Sequence, residues 1–159
     1  MFKLLLILFP MLLVADMDNI FPFQIIKKAN RAYRVGDYTQ SIKLFKSLEK
    51  DDPSVVYNLA NAEYKLGHYD TALHYYERAK GVNEATRLYN IGNIYFRKKE
   101  LDRAIESYEA SLAFREDVDT RYNLELAKKR KAQKNKKKKK DKKEQDKKKK
   151  KKKEQDKKK

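Results

Sequence analysis

Apolar residues through the middle of the chain recur at helical spacing. Tyr57, Ala60 and Tyr64 stand at i, i+3 and i+7, and after Gly67 a second stripe runs through Tyr69, Ala72, Leu73, Tyr76 and Ala79. Such spacing puts one apolar face on each of two helices, and the hinge Leu66-Gly67-His68 leaves room for little more than a turn between them. The pattern therefore predicts an antiparallel helical hairpin. The triplet Tyr57-Asn58-Leu59 returns as Tyr89-Asn90-Ile91 and as Tyr122-Asn123-Leu124, at steps of 32 and 33 residues. Ala29, Ala60 and Gly92 keep the same register, as do Ser41, Ala72 and Ala104, then Phe45, Tyr76 and Tyr108, and also Tyr38, Tyr69 and Leu101. A period of this size signals stacked units, each unable to bury its apolar face alone.

These registers divide the folding segment, residues 21–127, into hairpins at about 22–52, 53–84 and 85–116, followed by a capping helix at about 118–130. Gly36 and Gly67 sit where a left-handed backbone closes the hairpin, but the third unit has Lys99 there, at a cost of about 1–2 kcal/mol if that conformation is kept. Small residues at Ala60 and Ala72 let paired helices approach closely, and larger ones there should overpack. At the fourth unit Glu125 takes the place of Ala29, Ala60 and Gly92, so no partner helix is expected on it.

Charge is segregated. The chain of 159 residues has a net charge of +17, yet residues 128–159 alone hold 22 basic and 5 acidic side chains, which leaves the preceding part neutral. Residues 131–159 offer no apolar surface after Ala132, so a disordered, self-repelling polycation is expected there. At the other end, Lys3, an apolar run from Leu4 to Val14 and Ala15 read as a secretory signal over residues 1–15, cleaved or kept as an anchor. Eleven apolar residues fall short of the roughly 20 needed for a spanning helix. With export, the expected location is the periplasm or the periplasmic face of the inner membrane.

Catalytic chemistry finds no foothold. There is no cysteine, the two histidines His68 and His74 lack further ligands nearby in sequence, and no glycine-rich phosphate loop occurs. The expectation is a non-enzymatic chain with no cofactor, no metal and no small-molecule substrate.

The stretches from Tyr57 to Ala79 (YNLANAEYKLGHYDTALHYYERA) and from Tyr89 to Leu112 (YNIGNIYFRKKELDRAIESYEASL) resemble the tetratricopeptide repeat, and the resemblance covers about residues 21–126. It implies an all-α fold, a right-handed α-α superhelix of three hairpins with a capping helix. It also implies a concave groove lined by the first helix of each unit. The family's groove positions fall on Asn30, Tyr33 and Arg34 in the first unit and on Asn58, Asn61, Tyr64 and Lys65 in the second. In the third they fall on Asn90, Asn93, Phe96 and Arg97, and after it on Asn123. Asparagine amides can grip the backbone of an extended peptide, and the basic residues favour carboxylates; equally, the asparagines can bond neighbouring helices. On the groove reading, replacing Asn61 and Asn93 by alanine weakens partner binding and leaves the melting temperature nearly unchanged. Ile26, Thr86 and Asn90 stand where the family's carboxylate clamps have charged members, so this chain departs from a chaperone-tail clamp.

The order of signal segment, three units, the cap Arg121-Tyr122-Asn123-Leu124-Glu125-Leu126-Ala127-Lys128-Lys129 and a polar tail resembles the tetratricopeptide proteins of bacterial Bat (aerotolerance) operons. That resemblance implies an envelope adaptor, holding an extended peptide or helix in its groove beside von Willebrand factor A domain membrane proteins. The alternative is a polyanion-binding protein acting through its lysines, on an anionic membrane surface or, less favoured, nucleic acid. A purely solubilising tail is the third reading. No aromatic residue interleaves with the lysines to stack on bases.

Overall fold

The computed structural model describes residues 22–48 and 51–156, with side chains through residue 149. The segment expected to be a signal, residues 1–15, lies outside the described residues. Among those described there are seven helices and no strand, which is the all-α class expected from the repeat pattern. They form two compact units that divide after Val82.

In the first unit, α1 (Pro22–Arg34) pairs with α2 (Tyr38–Lys46), α2 packs on α3 (Pro53–Lys65), and α3 pairs with α4 (Tyr69–Arg78). Helix starts are set locally. Asp37 Oδ1 accepts the Gln40 N–H at 3.0 Å, and Asp52 Oδ1 accepts those of Ser54 and Val55 at 2.8 and 3.3 Å, with Pro53 in the first turn. Ile25, Ala29, Phe45, Leu48, Val55 and Leu59 form one buried cluster, against which Ile26, Ile42, Leu44 and Tyr75 pack. His68 and His74 are on the surface, and His68 Nδ1 lies 2.7 Å from Oε2 of the buried Glu63, whose other oxygen is 3.5 Å from Lys46 Nζ. His68 therefore helps to satisfy a buried carboxylate. No group of three or more metal-ligating side chains forms among the described residues.

In the second unit, α5 (Glu84–Arg97) pairs with α6 (Leu101–Phe114), and α7 (Val118–Asp156) packs on α6. The turn that closes each hairpin is the same in both units. Gly36, Gly67 and Lys99 have φ of +85°, +80° and +62°. Each donates its N–H three residues back, to Tyr33, Tyr64 and Phe96, while the following residue reaches five back, to Ala32, Glu63 and Tyr95. This double bond pattern caps the last carbonyls of the first helix. Lys99 thus keeps the left-handed conformation despite its Cβ, because the two backbone bonds hold the turn.

Helix α7 is preceded by Asp117, whose Oδ2 accepts the Thr120 hydroxyl at 2.6 Å and its N–H at 2.8 Å; these bonds, the hydroxyl's first, hold the carboxyl below its ordinary range. Thr120, Leu124 and Ala127 are buried at helical spacing, whereas the Glu125 side chain is 67% exposed. The helical backbone runs past Arg130 to Asp156, with no buried contact along the extension to set against the disorder expected of the lysine-rich tail. Lysine is a good helix former, and the tail inherits its phase from a helix already begun, so only propagation is required. Every side chain from 128 to 149 is exposed, so nothing buried holds the extension in place. No described helix is long and apolar enough to cross a membrane.

Two expected outcomes test this packing. The buried Ser41 hydroxyl has no hydrogen-bond partner among the described residues, and the equivalent positions are Ala72 and Ala104. Ser41→Ala should stabilise by about 1 kcal/mol, read as a higher urea midpoint with unchanged slope. A Cβ on Gly92 would lie 2.6 Å from Tyr108 Cε1 and 2.7 Å from Cδ1. Gly92→Ala should therefore destabilise by about 1 kcal/mol, its overpacking outweighing the gain in helix propensity, and lower the melting temperature.

Candidate peptide-binding surface

Within each hairpin the candidate residues lie on the first helix, and in the second and third hairpins an asparagine there is held by a tyrosine of the second helix. Tyr76 is 1% exposed and packs edge-on to Tyr57 with ring centroids 5.6 Å apart. Its hydroxyl emerges at the inner face of α3, where it donates to Asn61 Oδ1 at 2.5 Å. The third hairpin repeats the device. Tyr108 is fully buried, lies 6.1 Å from Tyr89, and donates to Asn93 Oδ1 at 2.8 Å. The same Asn93 oxygen accepts Asn123 Nδ2 at 3.1 Å, and that amide also reaches the Tyr89 hydroxyl at 3.2 Å. The structure therefore joins Asn93 and Asn123 in one network across α5, α6 and α7.

The remaining candidates fall into two groups. Asn30, Tyr33, Asn58, Tyr64, Asn90 and Phe96 are half-buried. Tyr33 meets Tyr38 across the turn at 5.3 Å and Tyr64 meets Tyr69 at 5.7 Å, while Phe96 lies 4.5 Å beneath the Arg130 guanidinium. Burial, then the neighbouring phenols of Tyr38 and Tyr57, push the Tyr33 hydroxyl above its ordinary pKa. Arg34, Lys65 and Arg97 are exposed at the ends of their helices, with no ion-pair partner among the described residues. In the first hairpin the residue fifteen positions after Asn30 is Phe45, which has no hydroxyl, and the Asn30 amide has no side-chain partner among the described residues.

The structure corrects one expectation. Asn61 and Asn93 carry hydrogen bonds to buried tyrosines, so replacing them costs stability as well as whatever they contribute to a partner. In the sequence Tyr76 and Tyr108 stand only as positions of the apolar register. The signal that would have found their second role is the fixed separation of fifteen residues in Asn61–Tyr76 and Asn93–Tyr108. Arg130, above Phe96, was also outside the expected set.

Comparison with known proteins agrees with this fold. The family model described as tetratricopeptide repeat matches residues 26–81 and, overlapping, 57–118. A search of curated proteins finds no match. Among solved structures, MamA is similar with a TM-score of 0.69 and 21% identity, over 75% of this chain and 73% of that one. The first tetratricopeptide domain of Spaghetti (RPAP3), bound to the HSP90 peptide SRMEEVD, gives 0.64 and 19% identity, over 70% and 93%. The Yersinia enterocolitica type III secretion chaperone SycD, in complex with a peptide of the translocator YopD, gives 0.63 and 20% identity, over 72% and 95%. At these identities the likeness shows the fold, a solenoid-class array of helical hairpins.

A double-mutant cycle checks the asparagine anchors. Asn61→Ala and Tyr76→Phe should each lower stability, and their coupling energy should be about 1 kcal/mol in chemical denaturation, against no coupling between Asn58→Ala and Tyr76→Phe.

Proposed function

We propose that this chain, which belongs to the tetratricopeptide repeat family, is a non-enzymatic adaptor that holds a segment of a partner protein against the first helices of its hairpins. One observation carries the reading. Each hairpin presents a half-buried asparagine amide beside an exposed basic residue, Arg34, Lys65 or Arg97, that has no partner of its own among the described residues. A peptide backbone can use the amides, and carboxylates on the same segment can use the cations. The peptides in the RPAP3 and SycD structures support this use of the fold.

In its finer form the proposal sets the adaptor in the bacterial envelope, exported by residues 1–15, in a Bat-type complex beside von Willebrand factor A domain membrane proteins. The support is the apolar run at Leu4–Val14 and the cap motif Arg121–Lys129. Two measurements test it. Replacing Arg34, Lys65 and Arg97 together by glutamine should weaken binding of a von Willebrand factor A domain partner at least tenfold in calorimetric titration while moving the melting temperature by only a degree or two. Fractionation should find the native protein in the periplasm or on the inner membrane. Unchanged affinity sinks the groove, and a cytosolic protein with an intact N-terminus sinks the envelope setting.

A further inference from the structure

The adaptor reading makes no use of the extension of α7. Its first part is docked. Lys128 Nζ lies 3.1 Å from Glu109 Oε1, Lys131 pairs with Asp102, and Arg130 covers Phe96, so a folded helix delivers the chain to Lys131 in helical phase. From 131 to 149 the helix carries 12 lysines against Asp141, Glu144 and Asp146, and the ion pair found within that stretch is Glu144–Lys148 at 3.3 Å.

The rise of a helix is about 1.5 Å per residue, so those nine net charges fall at roughly one per 3 Å of axis, against one per 7 Å for an extended chain. Two unit charges in water repel by about the thermal energy at roughly 7 Å. The helical form is therefore the self-repelling one, and it also draws counter-charge most strongly. A ligand that binds the denser form shifts the tail towards it. Nucleation, the costly part of making a helix, has already been met by the docked segment.

The distribution of charge selects the ligand's shape. Lys136, Lys140, Lys143 and Lys147 follow one side of the helix, and Lys131, Lys138, Lys142 and Lys149 follow the opposite side. A flat bilayer meets one row and leaves the other facing away, and no apolar residue follows Ala132 to enter it. A flexible linear polyanion can reach both rows. We propose that the α7 extension is a binding element for a linear phosphate-linked polyanion, which it engages as a helix continuous with the cap. With no aromatic residue among the lysines, the contacts are to phosphates and carry no base preference.

The test uses the full chain with long-chain inorganic polyphosphate, with a single-stranded thymidine oligonucleotide and phosphatidylglycerol vesicles as parallel arms. Polyphosphate should raise the helical circular dichroism, and affinity should fall about a thousandfold between 50 and 200 mM salt. Replacing Lys136 to Lys140 by glutamine, which keeps helix propensity, should weaken binding at least tenfold. Asn135→Pro keeps every charge and breaks continuity with the cap; it should also weaken binding at least tenfold and abolish most of the helical gain. Binding of polyphosphate or of the oligonucleotide meets the proposal, and the ratio of the two affinities identifies the source. No gain in helix, unchanged binding by either variant, or tighter binding to vesicles at equal charge concentration overturns it.

Discussion

The fold depends on how closely a first helix can approach the aromatic residue of its partner. Ala60 and Gly92 stand opposite Tyr76 and Tyr108 in the repeat register, and at Gly92 even one carbon more would intrude on the ring. That contact fills the interior of the hairpin with a phenol, the largest fully buried side chain in each case. It also sets what the hairpin shows on its inner side, because the phenol is long enough for its hydroxyl to reach through to the asparagine. Packing and display are thus one constraint, and a change that widens the helix pair would also release the amide.

Much of this was legible in the residues. Hairpin limits followed from apolar spacing, and the closing turns from Gly36 and Gly67, even where Lys99 replaces glycine, because backbone bonds rather than the side chain define that turn. The double role of the asparagines was harder to see. An amide suits a guest peptide and a neighbouring tyrosine equally well, and residue type alone does not choose between them. The helical phase of the α7 extension is hard to read for a different reason. Composition speaks to burial, and the tail has none, but a chain already in helical phase at Lys131 continues on propensity.

Charge is handled differently in the two parts of the molecule. Around the hairpins several cations are matched locally, as in Arg87 with Glu84, Arg121 with Glu116 and Arg78 with Asp51. Along α7 the pairing with α6 stops once Lys128 and Lys131 have met its acids, and the later pair Glu144–Lys148 lies within α7 itself. The Asp102 carboxylate holds the Lys131 ammonium above its ordinary pKa, which marks the last point at which the helix is tied to the fold.

Phe45 breaks the pattern set by Tyr76 and Tyr108, and the lost hydroxyl alters the first hairpin's role. Asn61 and Asn93 are each held in a set orientation by a buried phenol. Asn30 has no such tether among the described residues, so no tyrosine hydroxyl fixes its orientation. The hydroxyl anchor thus marks the second and third hairpins and is missing from the first.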